Sequence, residues 1–194
     1  MIRHNFKLFA WLLVVITLTI FGILSYVQIE DVNNIQLPLL VKLLSQTVTC
    51  VTIFGYFFNR YLWHWRVFTY CSWFVKVPYL AGEWTGTLRY YWDNRWQEKE
   101  MKMLIKQTYL HIQVSIYTNE SWSKTIGGTF DIDEENGFNS LIYSYQNTPD
   151  ASVREHSPMH YGTAILSISK DCKELRGNYF TDRKTTGEMK LSKN

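Results

Sequence analysis

Cysteine is scarce in this chain, and the positions of the three that occur exclude a disulfide framework. Cys50 lies within a long apolar run, Cys71 follows that run, and Cys172 falls in a predicted turn. Small secreted domains that depend on disulfides are dense in paired cysteines. The cysteine content therefore favours a reducing, cytosolic setting for the part of the chain that lies outside any membrane.

The sequence also lacks recognisable catalytic, phosphate-binding and metal-binding motifs. No Gly-rich loop connects a strand to a helix, and no GxSxG turn is present. His156 and His160 are four residues apart, but they lie in a Pro-containing loop with no cysteine nearby. Residues 131–137 resemble the start of a calcium loop, but the sixth position lacks the required glycine and the twelfth, Ile142, lacks the required glutamate. We therefore expect no metal site, no cofactor and no enzymatic activity.

Charged residues are missing from two long apolar runs, residues 8–29 and 43–59. The first run has 22 residues, which as a helix spans roughly 33 Å and exceeds the roughly 30 Å hydrocarbon core of a bilayer. No Ala-x-Ala-like cleavage site follows it, which argues against a signal peptide. Trp63 and Trp65 extend the apolar character of the second run past Arg60. The sequence predicts a two-helix transmembrane hairpin within residues 1–59.

The distribution of charge predicts the orientation of this hairpin. Lys and Arg flank the hairpin on both sides, whereas Glu30 and Asp31 lie in the short loop between the two runs. By the positive-inside rule, both ends of the hairpin face the cytoplasm. Residues 60–78 combine many aromatic residues with spaced cations, and we predict a juxtamembrane linker helix at the cytoplasmic interface. This stretch is either an ordinary aromatic belt or a stiff element that couples the hairpin to the rest of the chain.

From residue 79 onward the hydrophobic period changes to two, which is typical of β-strands. We predict strands over residues 84–92, 101–118, 124–133, 138–146, 161–169, 175–181 and 185–191, the second of which is either continuous or broken. Asn136-Gly137 predicts a type I′ hairpin turn. The predicted fold is a membrane protein with two N-terminal transmembrane α-helices and an all-β antiparallel barrel of about eight strands over residues 79–194. A β-sandwich is the competing architecture.

The predicted barrel is almost neutral, because the basic excess of the chain belongs to its N-terminal part. Residues 79–194 carry fourteen Lys or Arg against fifteen acids, whereas residues 1–78 carry six against two. A non-specific DNA or RNA binder needs an extended basic surface. The charge balance therefore excludes nucleic-acid polymers as expected partners and leaves room for a small anionic ligand.

Aromatic, hydroxyl and isolated basic side chains are the candidate ligand-binding residues of the barrel. Tyrosine and tryptophan rings can stack on flat ligands, and Lys or Arg can pair with phosphate. Arg183 lies in a predicted turn at one barrel end, within reach of Tyr and Thr hydroxyls. For each aromatic residue the alternative is core packing, and for each cation it is a solvated surface position. The candidates are Tyr90, Trp92, Lys106, Tyr109, Tyr143, Tyr145, Arg154, Tyr161, Tyr179, Thr181, Arg183 and Thr185.

Two short motifs complete a resemblance to a known family. Residues 80–86 read Leu-Ala-Gly-Glu-Trp-Thr-Gly, residues 177–183 read Gly-Asn-Tyr-Phe-Thr-Asp-Arg, and Gly187 follows. With the two spans and the aromatic stretch, they resemble the bacterial CBASS anti-phage effectors of the two-transmembrane β-barrel type, which are associated with CD-NTase enzymes. Gly-x-Trp at a barrel start is also similar to lipocalins, in which the Trp, here Trp84, plugs the base.

The resemblance implies a receptor of the bacterial inner membrane. A CD-NTase activated by phage makes a cyclic dinucleotide, the barrel binds it, and the protomers oligomerise through their spans. Membrane disruption then arrests or kills the infected cell. The implied partners are a cyclic dinucleotide, the lipid bilayer, other copies of the chain and a functionally linked CD-NTase. The alternatives are a tethered barrel that binds a lipid or another apolar ligand, and a structural membrane-assembly subunit with a filled barrel.

Overall fold

The computed structural model describes residues 3–29, 36–65, 77–92, 95–133 and 135–194. The chain divides into two compact units, an N-terminal helical unit and a C-terminal β-barrel.

The helical unit contains the two predicted apolar helices, α1 (Arg3–Gln28) and α2 (Leu37–Arg60). Both are long and apolar enough to cross a membrane, judged by length and composition. They pack against each other through stacked Phe9 and Phe58 rings, whose centroids are 5.7 Å apart. Helix α2 begins before the apolar run at residue 43, because a proline stands in its first turn, where proline favours helix initiation. Lys42 therefore lies within α2, with its side chain exposed.

Only the two ends of the predicted linker helix, residues 60–65 and 77–78, fall in the described part of the chain. Helix α2 ends at Arg60, and a 3₁₀ turn, Leu62–His64, follows it. Residues 66–76 lie outside the described residues. A linker helix over residues 60–78 therefore stays a prediction.

The C-terminal unit is a closed, up-and-down antiparallel barrel, which confirms the predicted fold class and excludes the sandwich. Each strand pairs with its neighbour in sequence, and β8 closes the barrel on β1. Closure leaves no free strand edge for pairing with another chain. The strands are β1 (Gly82–Trp92), β2 (Arg95–Gln107), β3 (Ile112–Tyr117), β4 (Ser121–Asp133), β5 (Phe138–Pro149), β6 (His160–Ile168), β7 (Glu174–Thr181) and β8 (Thr186–Lys193).

The hairpin between β4 and β5 differs from the predicted type I′ turn. A type I′ turn needs positive φ at both central residues, but Gly137 has a φ of +72° and Asn136 is not in the positive-φ region. The paired residues Asp133 and Phe138 enclose a four-residue loop. The Asp133 carboxylate accepts hydrogen bonds from the backbone N–H groups of Glu135 and Asn136, both at 3.1 Å. This side-chain contact stabilises the longer loop, so a two-residue turn is not required.

One end of the barrel, called the closed end, is filled by side chains. Trp84 is fully buried there, and its indole N–H donates to the carbonyl oxygen of Leu80 at 2.9 Å. The Gln107 side chain bonds the backbone N–H of Leu80 at 2.8 Å and the carbonyl oxygen of Pro78 at 2.9 Å. Inward-facing apolar residues from the other strands pack above this plug. They include Met101, Met103, Ile105, Ile112, Val114, Leu141, Leu166, Leu175 and Leu191.

Candidate functional site

The opposite end of the barrel, called the open end, contains a cavity of about 350 Å³. All eight strands and the loop between β5 and β6 contribute to its lining. Its volume lies within the range of about 300–1,000 Å³ that is typical of small-molecule sites. The strand residues that line it include Leu88, Tyr90, Gln97, Lys99, Ile116, Ser123, Tyr145, Asn147, His160, Tyr179 and Met189.

Two buried tyrosine rings, Tyr145 and Tyr179, line the cavity. Glycines on neighbouring strands provide the space for them. A Cβ atom at Gly162 would lie 2.5 Å from the Tyr145 hydroxyl, and one at Gly187 would lie 2.8 Å from the Tyr179 hydroxyl. Because real Cβ contacts are longer than 3.0 Å, any larger residue at these positions would displace a ring or a strand. The tyrosine positions therefore depend on both glycines.

Burial keeps these phenols neutral. Loss of solvation raises the pKa of Tyr179 to about 12, and the nearby Tyr90 adds to this shift, whereas Arg183 opposes it. Desolvation also raises the pKa of Tyr145, and Tyr179 and Asp182 add to that increase. At neutral pH the cavity therefore presents uncharged aromatic rings, which suit stacking with a flat, polar ligand.

Arg183 lies in the turn between β7 and β8 and lines the cavity. Its Nη1 donates to the Ser157 hydroxyl at 3.3 Å. Its Nε is buried and has no hydrogen-bond partner among the described residues. A buried N–H donor without an acceptor is unfavourable, and an anionic ligand would supply the missing acceptor. Thr185, which also lines the cavity, is hydrogen-bonded to Thr181 at the base of the same turn.

Lys99 and Glu120 form an ion pair on the other side of the cavity. The Lys99 Nζ also lies 5.5 Å from the centroid of the Tyr90 ring. Partial burial opposes the charge on Lys99, but the hydrogen bond to Glu120 and the interaction with Tyr90 outweigh it and raise the pKa of Lys99. Lys99 is therefore a protonated ammonium at neutral pH, and its charge is matched by Glu120.

Neutral polar groups occupy the wall formed by β4, β5 and β6. Ser123 donates to the Asn147 Oδ1 at 2.8 Å. Burial lowers the pKa of His160, and Arg183 adds to this effect, while the contact with the Pro158 carbonyl and Asp182 oppose it. The imidazole is therefore neutral at pH 7, and this wall adds polar groups to the cavity without adding net charge.

The structure brings together five of the residues that the sequence predicts for the site. Tyr90, Tyr145, Tyr179, Arg183 and Thr185 all line the cavity, although they come from three strands and one turn. Two further candidates lie directly behind the lining. Thr181 supports Thr185, and the buried Tyr143 donates from its hydroxyl to the sulfur of Met189 at 3.7 Å.

The remaining candidates do not line this cavity. Lys106 is exposed on the outer face of β2, because it alternates with the inward residues Ile105 and Gln107. Tyr109 is buried beyond the end of β2, at the closed end. The exposed Arg154 donates to the Pro149 carbonyl at 3.2 Å, and Tyr161 is exposed on the barrel wall. Trp92 ends β1, but its side chain lies outside the described part of the structure.

The lining residues that are absent from the sequence-based candidates include Lys99, Glu120, Asn147 and His160. Period-two alternation contains a signal for three of these four, because His160 has the same inward phase as Ala164 and Leu166. Asn147 continues the inward series of Tyr143 and Tyr145, and Lys99 continues the inward series of Met101 and Met103. Glu120 has no such signal, because it lies in the turn between β3 and β4, where alternation ends.

Comparison with known proteins gives two concordant findings. Residues 75–193 match the family model described as Cap15, cyclic dinucleotide receptor domain. Over 153 residues the chain is 33% identical to CD-NTase-associated protein 15 of Staphylococcus schleiferi, a match that covers 79% of this chain and 80% of that protein. The family model spans the complete barrel, including the cavity. This chain therefore belongs to the Cap15 family of proteins with a cyclic dinucleotide receptor domain.

Proposed function

We propose that this protein is a receptor and effector of a CBASS anti-phage defence system, and that its barrel binds a cyclic dinucleotide at the open end. The observation that carries the proposal is the cavity itself, which combines neutral tyrosine rings with the incompletely bonded guanidinium of Arg183. Membership in a family of cyclic dinucleotide receptors supports the same ligand class. This role requires ligand binding and no catalytic chemistry.

The lining offers complementary groups to each part of such a ligand. Flat bases stack on Tyr90, Tyr145 or Tyr179, because every base has a π-face and aromatic stacking does not depend on its identity. Arg183 binds a phosphodiester through charge-assisted hydrogen bonds. The hydroxyl of Thr185 supplies a further donor beside it. The receptor thus uses a few placed groups and does not need a broad basic surface.

The charged groups in the lining weigh against the two alternative functions. A barrel that carries a lipid or another apolar ligand needs an apolar interior, whereas here Lys99, Glu120 and Arg183 lie among the tyrosine rings and apolar side chains of the cavity. A structural subunit with a filled barrel would have no room for a ligand. The cavity of about 350 Å³ therefore favours a polar small-molecule receptor.

We further propose that the ligand drives oligomerisation and that the helices then disrupt the bacterial inner membrane, with arrest or death of the infected cell. Large apolar residues cover the exposed surface of the helical unit, among them Trp11, Leu18 and Ile23. This surface suits lipid and contacts between copies of the helices. The expected topology places both termini in the cytoplasm, where a linked CD-NTase releases the ligand. Ligand binding can drive assembly only if the assembled state binds the ligand more tightly.

A titration tests the receptor proposal directly. The full-length protein in detergent micelles is titrated calorimetrically with a panel of cyclic di- and trinucleotides, with linear dinucleotides as controls. We expect saturable binding of at least one cyclic dinucleotide and weak or no binding of the linear ones. Uniform absence of binding across the panel contradicts the proposal.

A further inference from the structure

Glu120 is the one carboxylate that lines the cavity in the described part of the chain. A cyclic dinucleotide carries two phosphodiester charges, so a carboxylate in its site would repel it unless that charge is offset. Lys99 supplies the offset through the ion pair. Uncharged residues at the positions of Lys99 and Glu120 would avoid this repulsion altogether. The presence of Glu120 therefore points to a ligand group that donates hydrogen bonds and needs an acceptor in the protein.

The backbone of the turn between β3 and β4 holds Glu120 in place. The Thr118 hydroxyl accepts hydrogen bonds from the backbone N–H groups of Glu120 at 3.4 Å and of Ser121 at 3.1 Å. The backbone N–H of Thr118 bonds the carbonyl oxygen of Ser121 at 2.9 Å, and that of Asp150 bonds the carbonyl oxygen of Glu120 at 2.9 Å. These contacts position the residue before any ligand arrives, which lowers the entropic cost of recognition.

Glu120 and Arg183 lie on opposite sides of the open end. The turn between β3 and β4 and the turn between β7 and β8 are four strands apart in either direction around the eight-stranded barrel. A ligand whose phosphodiester binds Arg183 therefore extends across the opening toward Glu120. The Tyr90 ring lies next to Lys99, the partner of Glu120, and offers a stacking surface for a base on that side of the cavity.

We propose that Glu120 binds the Watson–Crick edge of a guanine base, so that the receptor selects a cyclic dinucleotide that contains guanine. Guanine presents two adjacent donors on this edge, N1–H and the N2 amino group, which match the two oxygens of a carboxylate. The same edge of adenine, cytosine or uracil presents one donor beside one or two acceptors, and an ionised carboxylate can only accept. Lys99 compensates the charge of the carboxylate. This inference rests on the receptor function proposed above.

The test compares base preference in three forms of the full-length protein in detergent micelles. Wild type, Glu120→Gln and Glu174→Gln are titrated with the cyclic homodinucleotides of guanine, adenine, uracil and cytosine and with the mixed guanine–adenine compound. Glu174 is a matched control, because it also forms an exposed ion pair, with Arg176, but on the outer wall. Melting temperatures of all three forms verify folding.

We expect wild type and Glu174→Gln to prefer guanine-containing ligands by about tenfold. This is the lower part of the range for a bidentate base contact, since the Glu120 side chain is 48% exposed. In Glu120→Gln the ratio of affinities for ligands with and without guanine should fall close to one, because the amide N–H of the glutamine faces a donor of guanine. Affinity for ligands without guanine should stay equal or rise, since Lys99 is then unpaired.

The outcomes separate the two proposals. Binding without a guanine preference in wild type, or a preference that survives in Glu120→Gln, overturns the role of Glu120 but leaves the receptor function intact. A uniform loss of affinity for all bases in Glu120→Gln also overturns it, because that pattern indicates a structural role. Absence of binding by every cyclic dinucleotide overturns the receptor function, and the base selection with it.

Discussion

Replacement of Gly187 by alanine is expected to destabilise the barrel and to damage the cavity. A Cβ atom at this position would lie 2.3 Å from the carbonyl oxygen of Arg89, well inside the 3.0 Å limit that real Cβ atoms observe. It would also lie 2.5 Å from a ring carbon of Tyr179. The first contact is with backbone on the paired strand β1, so side-chain rotation cannot relieve it. Either the pairing of β8 with β1 opens locally, or the strands shift.

Overpacking of this kind costs about 1–3 kcal/mol of the free energy of unfolding. For a domain of this size the loss corresponds to a decrease in melting temperature of about 4–12 °C. Gly127→Ala is the matched control, because no atom lies within 4 Å of its Cβ position on β4. Alanine is favoured over glycine in a strand by about 0.5–1 kcal/mol, so this control should melt at the wild-type temperature or slightly above it.

The assay is thermal unfolding of the full-length variants in detergent, followed by the far-ultraviolet circular dichroism of the strands. Ligand titration accompanies it, because displacement of the Tyr179 ring should weaken binding in Gly187→Ala at temperatures at which the variant is still folded. If Gly187→Ala melts within about 2 °C of Gly127→Ala, the close approach of β8 to β1 is not the reason for glycine at this position.

Three further predictions concern the ligand, the pH and the membrane. Arg183→Ala should weaken cyclic dinucleotide binding at least about tenfold, through loss of a charge-assisted hydrogen bond. Arg154→Ala, a substitution outside the cavity, should leave the affinity unchanged. Equal effects of the two substitutions would refute the binding of a phosphodiester by Arg183. Burial lowers the pKa of His160 in the folded protein, so as the pH falls the imidazole is protonated first in the unfolded state. The free energy of unfolding should therefore be highest above about pH 6.5 and should decrease at lower pH. His160→Gln should flatten this acid dependence of the melting temperature, and an unchanged slope would exclude His160 as its source. Deletion of residues 1–59 should abolish toxicity in cells that express the linked CD-NTase, whereas ligand binding should persist. Membrane damage is measured by the entry of a membrane-impermeant dye, and entry of the dye into cells that express the deletion variant would contradict the membrane mechanism.

Local patterns in the sequence predict most of the architecture, because they reflect the environment of each residue along the chain. The absence of charge over 22 residues predicts α1, and the inward series of Tyr143 and Tyr145 predicts an amphipathic β5. The start of α2 is less predictable, since the apolar run begins after Lys42, whereas the helix begins at the proline-containing turn. Exposure of Lys42 makes this extension tolerable, because its long side chain can reach polar surroundings.

The residues of the site are only partly predictable, because a cavity is formed by residues that are distant in sequence. Lys99 and Glu120 are 21 residues apart, and only the pairing of β2 with β3 brings them together. Lys106 has the same chemistry as Lys99 but lies on the outer face of the same strand. Because a shift of one residue reverses the inner and outer faces, composition alone cannot distinguish the two lysines.

The sequence by itself determined the class of each half of this protein, two apolar helices and a β domain with alternating faces. A helix that spans lipid requires a continuous apolar run, and a barrel strand requires alternation, and both patterns are visible in short segments. It also determined the near-neutral charge of the β domain. The tertiary structure alone decided which end of the barrel is filled and which is open. It placed Arg183 opposite Glu120 across the opening, because the register and closure of eight strands, which are global properties of the chain, set which side chains meet.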